Sequence, residues 1–403
     1  MHPRSAHDWV EDSITTRFQL QVEEGGDRLA VITPARRLTY IELDAEIRGV
    51  AAALHSAGVN RGDRVVIIME QETWLIAAIL GVLRCAAIYV PIDPKWSIER
   101  GQAVMDDAQP STVLADTANI FRAQLLQKGR HVEVINGELL SAQRRPYAPS
   151  VQSVSMIEPR ADDSAYIYYT SGSTGPPKGV VDTHRNIIHN VRRYTENLEI
   201  SAADRLTLLQ TCGFSGAVSN VFGALLNGAA VIPLNISRTP PRAAAQWFAE
   251  VGATIYHSVP TIFRSIARTN VRIPTLRVIR LEGDASNRLD VELFNARFDR
   301  RCVLVNGLGA TETGIVAQHL IHPGDVIDQG IMPIGQPTAD MSVRIVDPEG
   351  RAVPPGESGE IEVTSRYLAR GYWNKPELTR RSFQDAGDGR RRYRTGDLGV
   401  QRL

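Results

Sequence analysis

The sequence predicts an α/β protein with two doubly wound, mainly parallel sheets packed together and a small β-barrel-like lobe near its end. Over most of the 403 residues, short apolar runs alternate with helix-length amphipathic stretches. That rhythm is typical of βαβ units in parallel sheets. After about residue 333 the apolar residues alternate with period two and helical pattern is nearly absent, which favours antiparallel strands.

Composition narrows the class of protein. The 45 basic and 45 acidic residues balance, and 43% of the chain is hydrophobic, as in ordinary globular proteins. Zero net charge argues against a nucleic-acid binder that neutralises phosphates. The longest apolar stretch, residues 74–83, is too short to span a bilayer. The polar N-terminus and three scattered cysteines fit no secretory signal, disulfide framework or zinc site, so we expect a cytoplasmic protein.

Residues 1–160 are predicted to form the first α/β sheet subdomain. A proline- and serine-rich stretch at 144–159 is interpreted as a connector to the next unit. The elements predicted within this subdomain are strands at 64–69, 87–92 and 112–115 and a helix at 74–84.

Residues 161–330 are predicted to form the second α/β sheet subdomain, and 331–403 the β-barrel-like lobe. The chain stops shortly after a Gly-Asp turn and without a closing helix, so we expect its end to be a boundary within a larger molecule. The predicted elements are strands at 165–170, 206–210, 229–233, 254–256, 278–281, 302–305, 342–346 and 359–364 and a helix at 184–198.

The strongest local signal is YYTSGSTGPPKGVV at residues 168–181, directly after a predicted strand. Glycines let backbone N–H groups approach an anion, hydroxyl residues add donors, and Lys178 adds a mobile positive charge. Lys178 is one of only four lysines in the chain. The spacing is not that of a Walker A loop, which needs Gly-Lys-Ser/Thr. The pattern therefore predicts a phosphate cradle of another kind.

TSGSTGPPKG resembles the phosphate loop of the adenylate-forming superfamily, which includes acyl-CoA synthetases, luciferases and the adenylation domains of nonribosomal peptide synthetases. Further motifs of that superfamily follow in order, and the resemblance runs from about residue 13 to the last residue. It is greatest to the large N-terminal subdomain of a peptide-synthetase adenylation domain, without the C-terminal lid subdomain. These motifs are LTYIEL at 38–43, LRCAAIYVPID at 83–93, NGLGATET at 306–313, ARGYWNKPELT at 369–379 and YRTGDL at 393–398.

The resemblance implies the acyl-adenylate-forming fold and ATP-dependent activation of a carboxylic acid, with Mg²⁺. The acyl group would then pass to the thiol of a peptidyl or acyl carrier protein in nonribosomal peptide biosynthesis. Without a lid subdomain, turnover is expected to be impaired. Two alternatives stay open: a free-standing acyl- or aryl-CoA ligase, and a degenerate, non-catalytic binding module. Neither a nucleic-acid nor a membrane partner is expected.

The resemblance also implies roles for individual residues. Glu312 would hold Mg²⁺, Thr311 would touch the α-phosphate, and Lys178 would hold the outer phosphates. Asp397 would accept hydrogen bonds from the ribose hydroxyls. Leu308 stands where the family usually has an aromatic residue that stacks on adenine, so that stacking contribution is lost. The implied nucleotide contacts are Thr170, Ser171, Gly172, Ser173, Thr174, Gly175, Lys178, Gly283, Asn306, Gly307, Leu308, Gly309, Thr311 and Asp397.

The implied acid pocket departs from the family at Ser215, where an aspartate usually pairs with the α-ammonium of the substrate. A hydroxyl cannot neutralise a buried ammonium, so we expect a non-standard amino acid or an acid lacking an α-amino group. Arg280 could hold a second carboxylate or neutralise Glu282, and Glu282 could instead receive a displaced amine. The implied pocket residues are Phe214, Ser215, Gly216, Ser219, His257, Arg280, Glu282, Gly307, Ile315 and Val316.

His184 follows the glycine-rich loop at the start of a predicted helix. Two interpretations stay open from the sequence: a contact that braces the loop or a phosphate, and a solvated helix histidine.

Overall fold

The computed structural model describes residues 9–142, 158–170, 177–327 and 330–402. Ser171, Gly172, Ser173, Thr174 and Gly175, five of the predicted nucleotide contacts, and most of the predicted connector lie outside these residues. Within the described ranges, every helix is too short or too polar to cross a membrane.

The helices follow the amphipathic and apolar stretches of the sequence. A short 3-10 helix, Trp9–Glu11, precedes them. The α-helices are α1 (Ile14–Gly25), α2 (Tyr40–Ser56), α3 (Thr73–Arg84), α4 (Ile98–Ala108), α5 (Ile120–Gln127), α6 (Gly137–Ala142), α7 (His184–Leu198), α8 (Gly216–Leu225), α9 (Pro241–Glu250), α10 (Pro260–Ala267), α11 (Arg288–Arg297) and α12 (Pro376–Ser382).

The strands form three sheets. They are β1 (Leu29–Ile32), β2 (Arg37–Thr39), β3 (Arg64–Ile68), β4 (Ile88–Pro91), β5 (Thr112–Ala115), β6 (Glu133–Asn136), β7 (Ser164–Thr170), β8 (Lys178–Thr183), β9 (Arg205–Leu208), β10 (Ala230–Pro233), β11 (Ile255–Ser258), β12 (Val278–Leu281), β13 (Val303–Ala310), β14 (Gly314–Ile321), β15 (Gln336–Pro337), β16 (Ser342–Val346), β17 (Ser358–Ser365), β18 (Gly371–Tyr372), β19 (Phe383–Gly387) and β20 (Arg390–Val400).

Two of the sheets are large and mainly parallel, as predicted. The seven-stranded sheet has the order β18-β8-β7-β4-β3-β5-β6, and the nine-stranded sheet has the order β15-β14-β13-β12-β11-β9-β10-β1-β2. Parallel pairing runs from β7 to β6 in the first sheet and from β13 to β1 in the second. Antiparallel strands occupy the remaining edges.

The strands do not divide between the sheets by their order in the sequence. The predicted strand at 165–170, expected to open the second sheet, is β7 and pairs with β4 of the first. Conversely, β1 near the N-terminus joins the second sheet beside β10. The prediction was wrong because alternation shows that strands exist, whereas parallel partners are chosen by long crossover connections that leave no local signal.

The third sheet has four antiparallel strands in the order β16-β17-β20-β19. Each end strand pairs with one neighbouring strand within the described residues, and β16 has only an isolated bridge, Val346 to Ala352, on its other side, so the predicted barrel-like lobe is an open sheet. The predicted Gly-Asp turn is also wrong: residues 395–398 continue β20, with an irregular register opposite residues 360–362 of β17. Gly396 takes a left-handed φ of 82° there, which absorbs the extra residues.

One apolar cluster joins the two large sheets. It combines buried residues of helices α2, α3, α7 and α8 with strands from both sheets, including Val65 of β3 and Leu206 of β9. Helix α3 is apolar on nearly every side, and ten of its twelve residues are buried, as expected for a helix between two layers. A second cluster packs the third sheet against β8, β14 and β18, with Val363 and Tyr372 among its members.

Candidate active site

Three side chains from separate elements meet where the glycine-rich segment joins the first sheet. Thr170 at the end of β7 pairs with Lys178 at the start of β8, and Tyr372 of β18 pairs with Val180 of β8. The Lys178 ammonium lies 5.9 Å from the centre of the Tyr372 ring. The Tyr372 hydroxyl donates a hydrogen bond of 3.0 Å to the Glu312 carboxylate. The structure thus places a cation and a carboxylate on opposite parts of one tyrosine.

The tyrosines keep their protons and remain donors. Burial first, and then the negative charge of Glu312, raise the pKa of Tyr372 to about 12. The same causes raise the pKa of Tyr393 still further. The Tyr393 hydroxyl lies 3.5 Å from that of Tyr372. Glu312, only 9% exposed, therefore faces a fixed hydrogen-bond donor and not a basic group.

Glu312 is a single carboxylate, and a single carboxylate suits a magnesium ion that is held mainly by a nucleotide. Within the described ranges, no three His, Cys, Asp or Glu side chains cluster closely enough to hold a metal by themselves. A hard divalent cation commonly binds through one carboxylate, with phosphates and waters completing its octahedron. Glu312 supplies one such carboxylate, and Lys178 lies on the ring of the same tyrosine that Glu312 contacts.

Ser215 and Thr311 connect the predicted acid pocket with the predicted nucleotide site. Their hydroxyl oxygens lie 2.8 Å apart and share a hydrogen bond. Ser215 precedes helix α8 but makes no side-chain capping bond to it. The hydroxyl is thus directed across to the β13–β14 connection, where Thr311 and Glu312 are neighbours in the chain.

Arg280 and Glu282 form a buried ion pair at the carboxyl end of β12. Arg280 is fully buried and donates two hydrogen bonds, of 2.7 and 3.0 Å, to one Glu282 oxygen. His257 lies 3.4 Å from that oxygen and 2.9 Å from the Asn220 amide oxygen. Burial alone would raise the pKa of Glu282, but the charge of Arg280 and the contact with His257 lower it to about 2. Of the two roles open for Arg280, the structure shows neutralisation of Glu282.

Two glycines let β13 approach this ion pair. A Cβ at Gly307 would lie 3.0 Å from an Arg280 guanidinium nitrogen, and a Cβ at Gly309 would lie 2.4 Å from a Glu282 oxygen. A contact under 3.0 Å forces a neighbouring group to shift, whereas a contact of 3.0–3.4 Å requires the neighbour to move by a few tenths of an ångström. Packing against the acid pocket therefore favours glycine at both positions, and most strongly at Gly309, where the backbone oxygen of Gly314 would also lie 2.8 Å away.

The structure gathers some of the other predicted pocket residues and separates others. The Ser219 hydroxyl accepts a hydrogen bond of 3.2 Å from Asn190, whose oxygen accepts one of 2.8 Å from the Ile315 backbone. Val316, the next residue of β14, packs in the cluster beneath the third sheet and is not brought to the pocket. Phe214 is 63% exposed, and Gly216 begins α8.

The remaining nucleotide predictions fall in different surroundings. The Asn306 amide is held by the backbone oxygen of Pro333 at 2.8 Å. Leu308 packs against the cluster beneath the third sheet. Gly283 follows β12 with a left-handed φ of 88°. Asp397 is exposed on β20, four residues beyond Tyr393.

The interpretation of His184 as a solvated helix histidine is wrong. The side chain is fully buried, and its Nδ1 accepts a hydrogen bond of 3.1 Å from the backbone N–H of Ile14. Burial lowers the pKa of His184 to about 4. A neutral His184 thus holds the start of α1 and is shielded from solvent. A contact with the glycine-rich loop stays a prediction, because residues 171–176 lie outside the described ranges.

Sequence reasoning gave no role to Tyr372, Tyr393 and Asn220. Both tyrosines lie inside quoted motifs, but nothing local reveals that β18 joins the first sheet through β8. Asn220 is fully buried and accepts from the Tyr194 hydroxyl at 2.9 Å. A polar residue within the apolar pattern of α8 was the available signal.

Residues 18–373 match the model of a protein family described as AMP-binding enzyme. Tyrocidine synthase 1 of Brevibacillus parabrevis is 32% identical over 390 residues. That alignment covers 96% of this chain but 35% of the synthase, so the chain spans about a third of that curated relative.

Solved structures show the same fold. A nonribosomal peptide synthetase, FmoA3 (S1046A) in an AMPPNP-bound form, matches with a TM-score of 0.84 and 28% identity, over 97% of this chain and 41% of that one. The N-terminal subdomain of Klebsiella oxytoca NpsA, in complex with 3-hydroxybenzoyl-AMSN, has a TM-score of 0.84 at 23% identity. That match covers 100% of this chain and 98% of the other, and it concerns the fold alone.

Proposed function

This chain belongs to the AMP-binding enzyme family, and on that premise we propose that it activates a carboxylic acid with ATP to form an acyl-adenylate. The observation that carries the proposal is the meeting of Lys178 and Glu312 on Tyr372 beside the glycine-rich segment. A triphosphate needs a cation at its outer phosphates and a carboxylate for its magnesium ion, and both groups lie near Tyr372 here.

In the proposed reaction, a substrate carboxylate oxygen attacks the α-phosphorus of ATP. The bond from that phosphorus to the β-bridging oxygen breaks, and its electron pair leaves with pyrophosphate. Lys178 lowers the energy of the charge that builds on the phosphates, and Thr311 donates to the α-phosphate. Glu312 would hold Mg²⁺, which supplies charge neutralisation when bound.

The rest of the nucleotide would extend from this point across the third sheet. Asp397 on β20 would receive the ribose hydroxyls, and its exposure leaves the carboxylate free to do so. Leu308 would offer adenine an aliphatic surface. The segment from Ser171 to Gly175 would wrap the outer phosphates with backbone N–H groups.

The proposed acid lacks an α-amino group, or carries an amino group elsewhere. Ser215 presents a hydroxyl that is already bonded to Thr311. The carboxylate of Glu282 is neutralised by Arg280. An α-ammonium buried between Ser215 and Glu282 would find no free carboxylate to pair with, and burial of an unpaired charge is strongly unfavourable.

We extend the proposal to the fate of the acyl group: it passes to the thiol of a carrier protein in nonribosomal peptide assembly. The support is the similarity to tyrocidine synthase 1 over 96% of this chain. Thioester formation with free coenzyme A, in place of carrier loading, would replace this part of the proposal by a CoA ligase.

The test is exchange of labelled pyrophosphate into ATP, measured on the intact protein with a panel of carboxylic acids. We expect exchange that requires an acid, with aryl, hydroxy or keto acids ahead of standard α-amino acids. Lys178→Met should abolish exchange, whereas Lys128→Met, a surface control with the same charge change, should not. Absence of exchange with every acid, and of ATP binding by calorimetry, would leave only a non-catalytic binding module.

A further inference from the structure

We propose that Arg391 is a positioning residue that holds Glu312 in place by clamping the backbone of residues 368–370. This inference rests on the proposed function, because it concerns the carboxylate that would face the nucleotide-bound metal. Arg391 lies on β20, in the third sheet, and is not among the predicted nucleotide contacts.

The clamp consists of three hydrogen bonds from one guanidinium. Arg391 donates to the carbonyl oxygens of Leu368 at 2.8 Å, Ala369 at 2.6 Å and Arg370 at 3.1 Å. Three successive carbonyls can point at one side chain only if the backbone curls around it. The planar, five-donor guanidinium is the side chain suited to such a cluster of acceptors.

The clamped segment is fixed from its other side by the first sheet and helix α7. The Asn186 amide donates to the Leu368 carbonyl at 2.9 Å and to Asp182 at 2.8 Å. The Arg370 backbone N–H donates to the Val181 carbonyl at 2.8 Å. Arg391 therefore completes a cage in which the segment has one available position.

Glu312 takes its position from this segment twice. The Ala369 backbone N–H donates to the Glu312 carbonyl oxygen at 2.9 Å. Three residues later, the Tyr372 hydroxyl donates to the Glu312 carboxylate at 3.0 Å. The main chain and the side chain of Glu312 thus both depend on the position of residues 369–372. Arg391 fixes the first residues of this segment.

Groups that orient a metal ligand affect metal affinity even without touching the ion, commonly by roughly 10- to 100-fold. Loss of Arg391 should accordingly lower the affinity for Mg²⁺ more than it lowers the affinity for the nucleotide. A merely structural arginine would instead lower the stability of the unliganded protein and leave the magnesium requirement unchanged.

The experiment compares Arg391→Met and Arg391→Lys with Arg390→Met, a control with the same charge change on the neighbouring exposed residue, which pairs only loosely with Asp388 at 3.6 Å. The thermal unfolding midpoint of the intact protein is followed with ATP while Mg²⁺ is titrated. We expect the Mg²⁺ concentration for half-maximal stabilisation to rise roughly tenfold in Arg391→Met. Arg391→Lys, which keeps the charge but fewer donors, should fall between, and Arg390→Met should match wild type.

A folded Arg391→Met or Arg391→Lys with the wild-type magnesium requirement would overturn the inference. If Arg391→Met does not fold, Arg391→Lys decides, because it retains a donor for at least one carbonyl. The wild-type titration separates the two proposals: if Mg²⁺-ATP does not stabilise the wild type, the proposed function fails, and the clamp fails with it. If wild type responds and the variants match it, the clamp alone fails.

Discussion

The Lys178–Tyr372–Glu312 region and the Arg280–Glu282–His257 region use charge in opposite ways. In the first region, Lys178 and Glu312 both contact Tyr372, and among the described residues they form no ion pair with each other. In the second, Arg280 and Glu282 bond directly and neutralise each other. The first region keeps its charges for ligands, whereas the second has already compensated its own. Under the proposed function, the first region would receive the charged phosphates, and the second would receive the part of the substrate that carries no α-ammonium group.

The largest effect should come from breaking the compensated pair. Glu282→Leu leaves the fully buried Arg280 unpaired, and loss of one partner of a buried pair costs about 3–5 kcal/mol of unfolding free energy. Urea denaturation measures it. The double variant Arg280→Met/Glu282→Leu should recover most of the loss; if it unfolds as easily as the single variant, the pair is not what matters there.

The uncompensated region should respond through function and not through stability. Glu312→Gln keeps an acceptor for the Tyr372 hydroxyl, so the unfolding free energy should change little. Removing the charge should lower pyrophosphate exchange by roughly a hundredfold or more, about 3 kcal/mol of transition-state stabilisation. Exchange at the wild-type rate would mean that Glu312 does not hold the metal.

Ser215→Asp should shift the ranking of acids. A carboxylate at this position would give an α-ammonium the partner that the compensated Glu282 cannot, so standard α-amino acids should gain roughly tenfold in kcat/KM relative to acids without an amino group. Ser215→Asn, which is similar in size but uncharged, is the matched control. An unchanged ranking in Ser215→Asp would show that Ser215 does not face the substrate's α-carbon.

A smaller effect is expected at Tyr372. Tyr372→Phe removes the donor to Glu312 but keeps the ring beside Lys178, so kcat/KM should fall several-fold, about 1 kcal/mol for one hydrogen bond. Tyr367→Phe is the control, since its hydroxyl has no hydrogen-bond partner among the described residues. Equal kcat/KM values in both variants would show that the Tyr372 hydroxyl does not position Glu312.

The smallest effect concerns pH. Because the pKa of Glu282 is lowered to about 2, its contribution to stability is complete above the unfolded value near ~4.3 and is lost as the pH falls through 2. The contribution of the Arg280–Glu282 pair to the unfolding free energy should therefore be the same at pH 5 as at pH 7. The difference in unfolding free energy between wild type and Arg280→Met/Glu282→Leu should stay constant over that range and shrink below pH 4.

Local patterns predicted local structure well. Helix α7 and strands β5, β12 and β16 have the predicted bounds, because periodicity and capping act over a few residues. The position of β7 in the first sheet could not be predicted, since sheet partners are chosen at long range. Ser215, Thr311, Glu312 and Lys178 were identified through motif resemblance. Tyr372 was not, because its role arises only when β18 pairs with β8 and places its hydroxyl at Glu312.

The most direct test of the central claim is a crystal structure of the chain with Mg²⁺ and AMPPNP. We expect a triphosphate whose outer phosphates contact Lys178 and whose magnesium ion is bound by Glu312, with the ribose at Asp397. A nucleotide bound elsewhere, or a Glu312 that stays on Tyr372 with no metal within reach while the triphosphate is ordered, would contradict it.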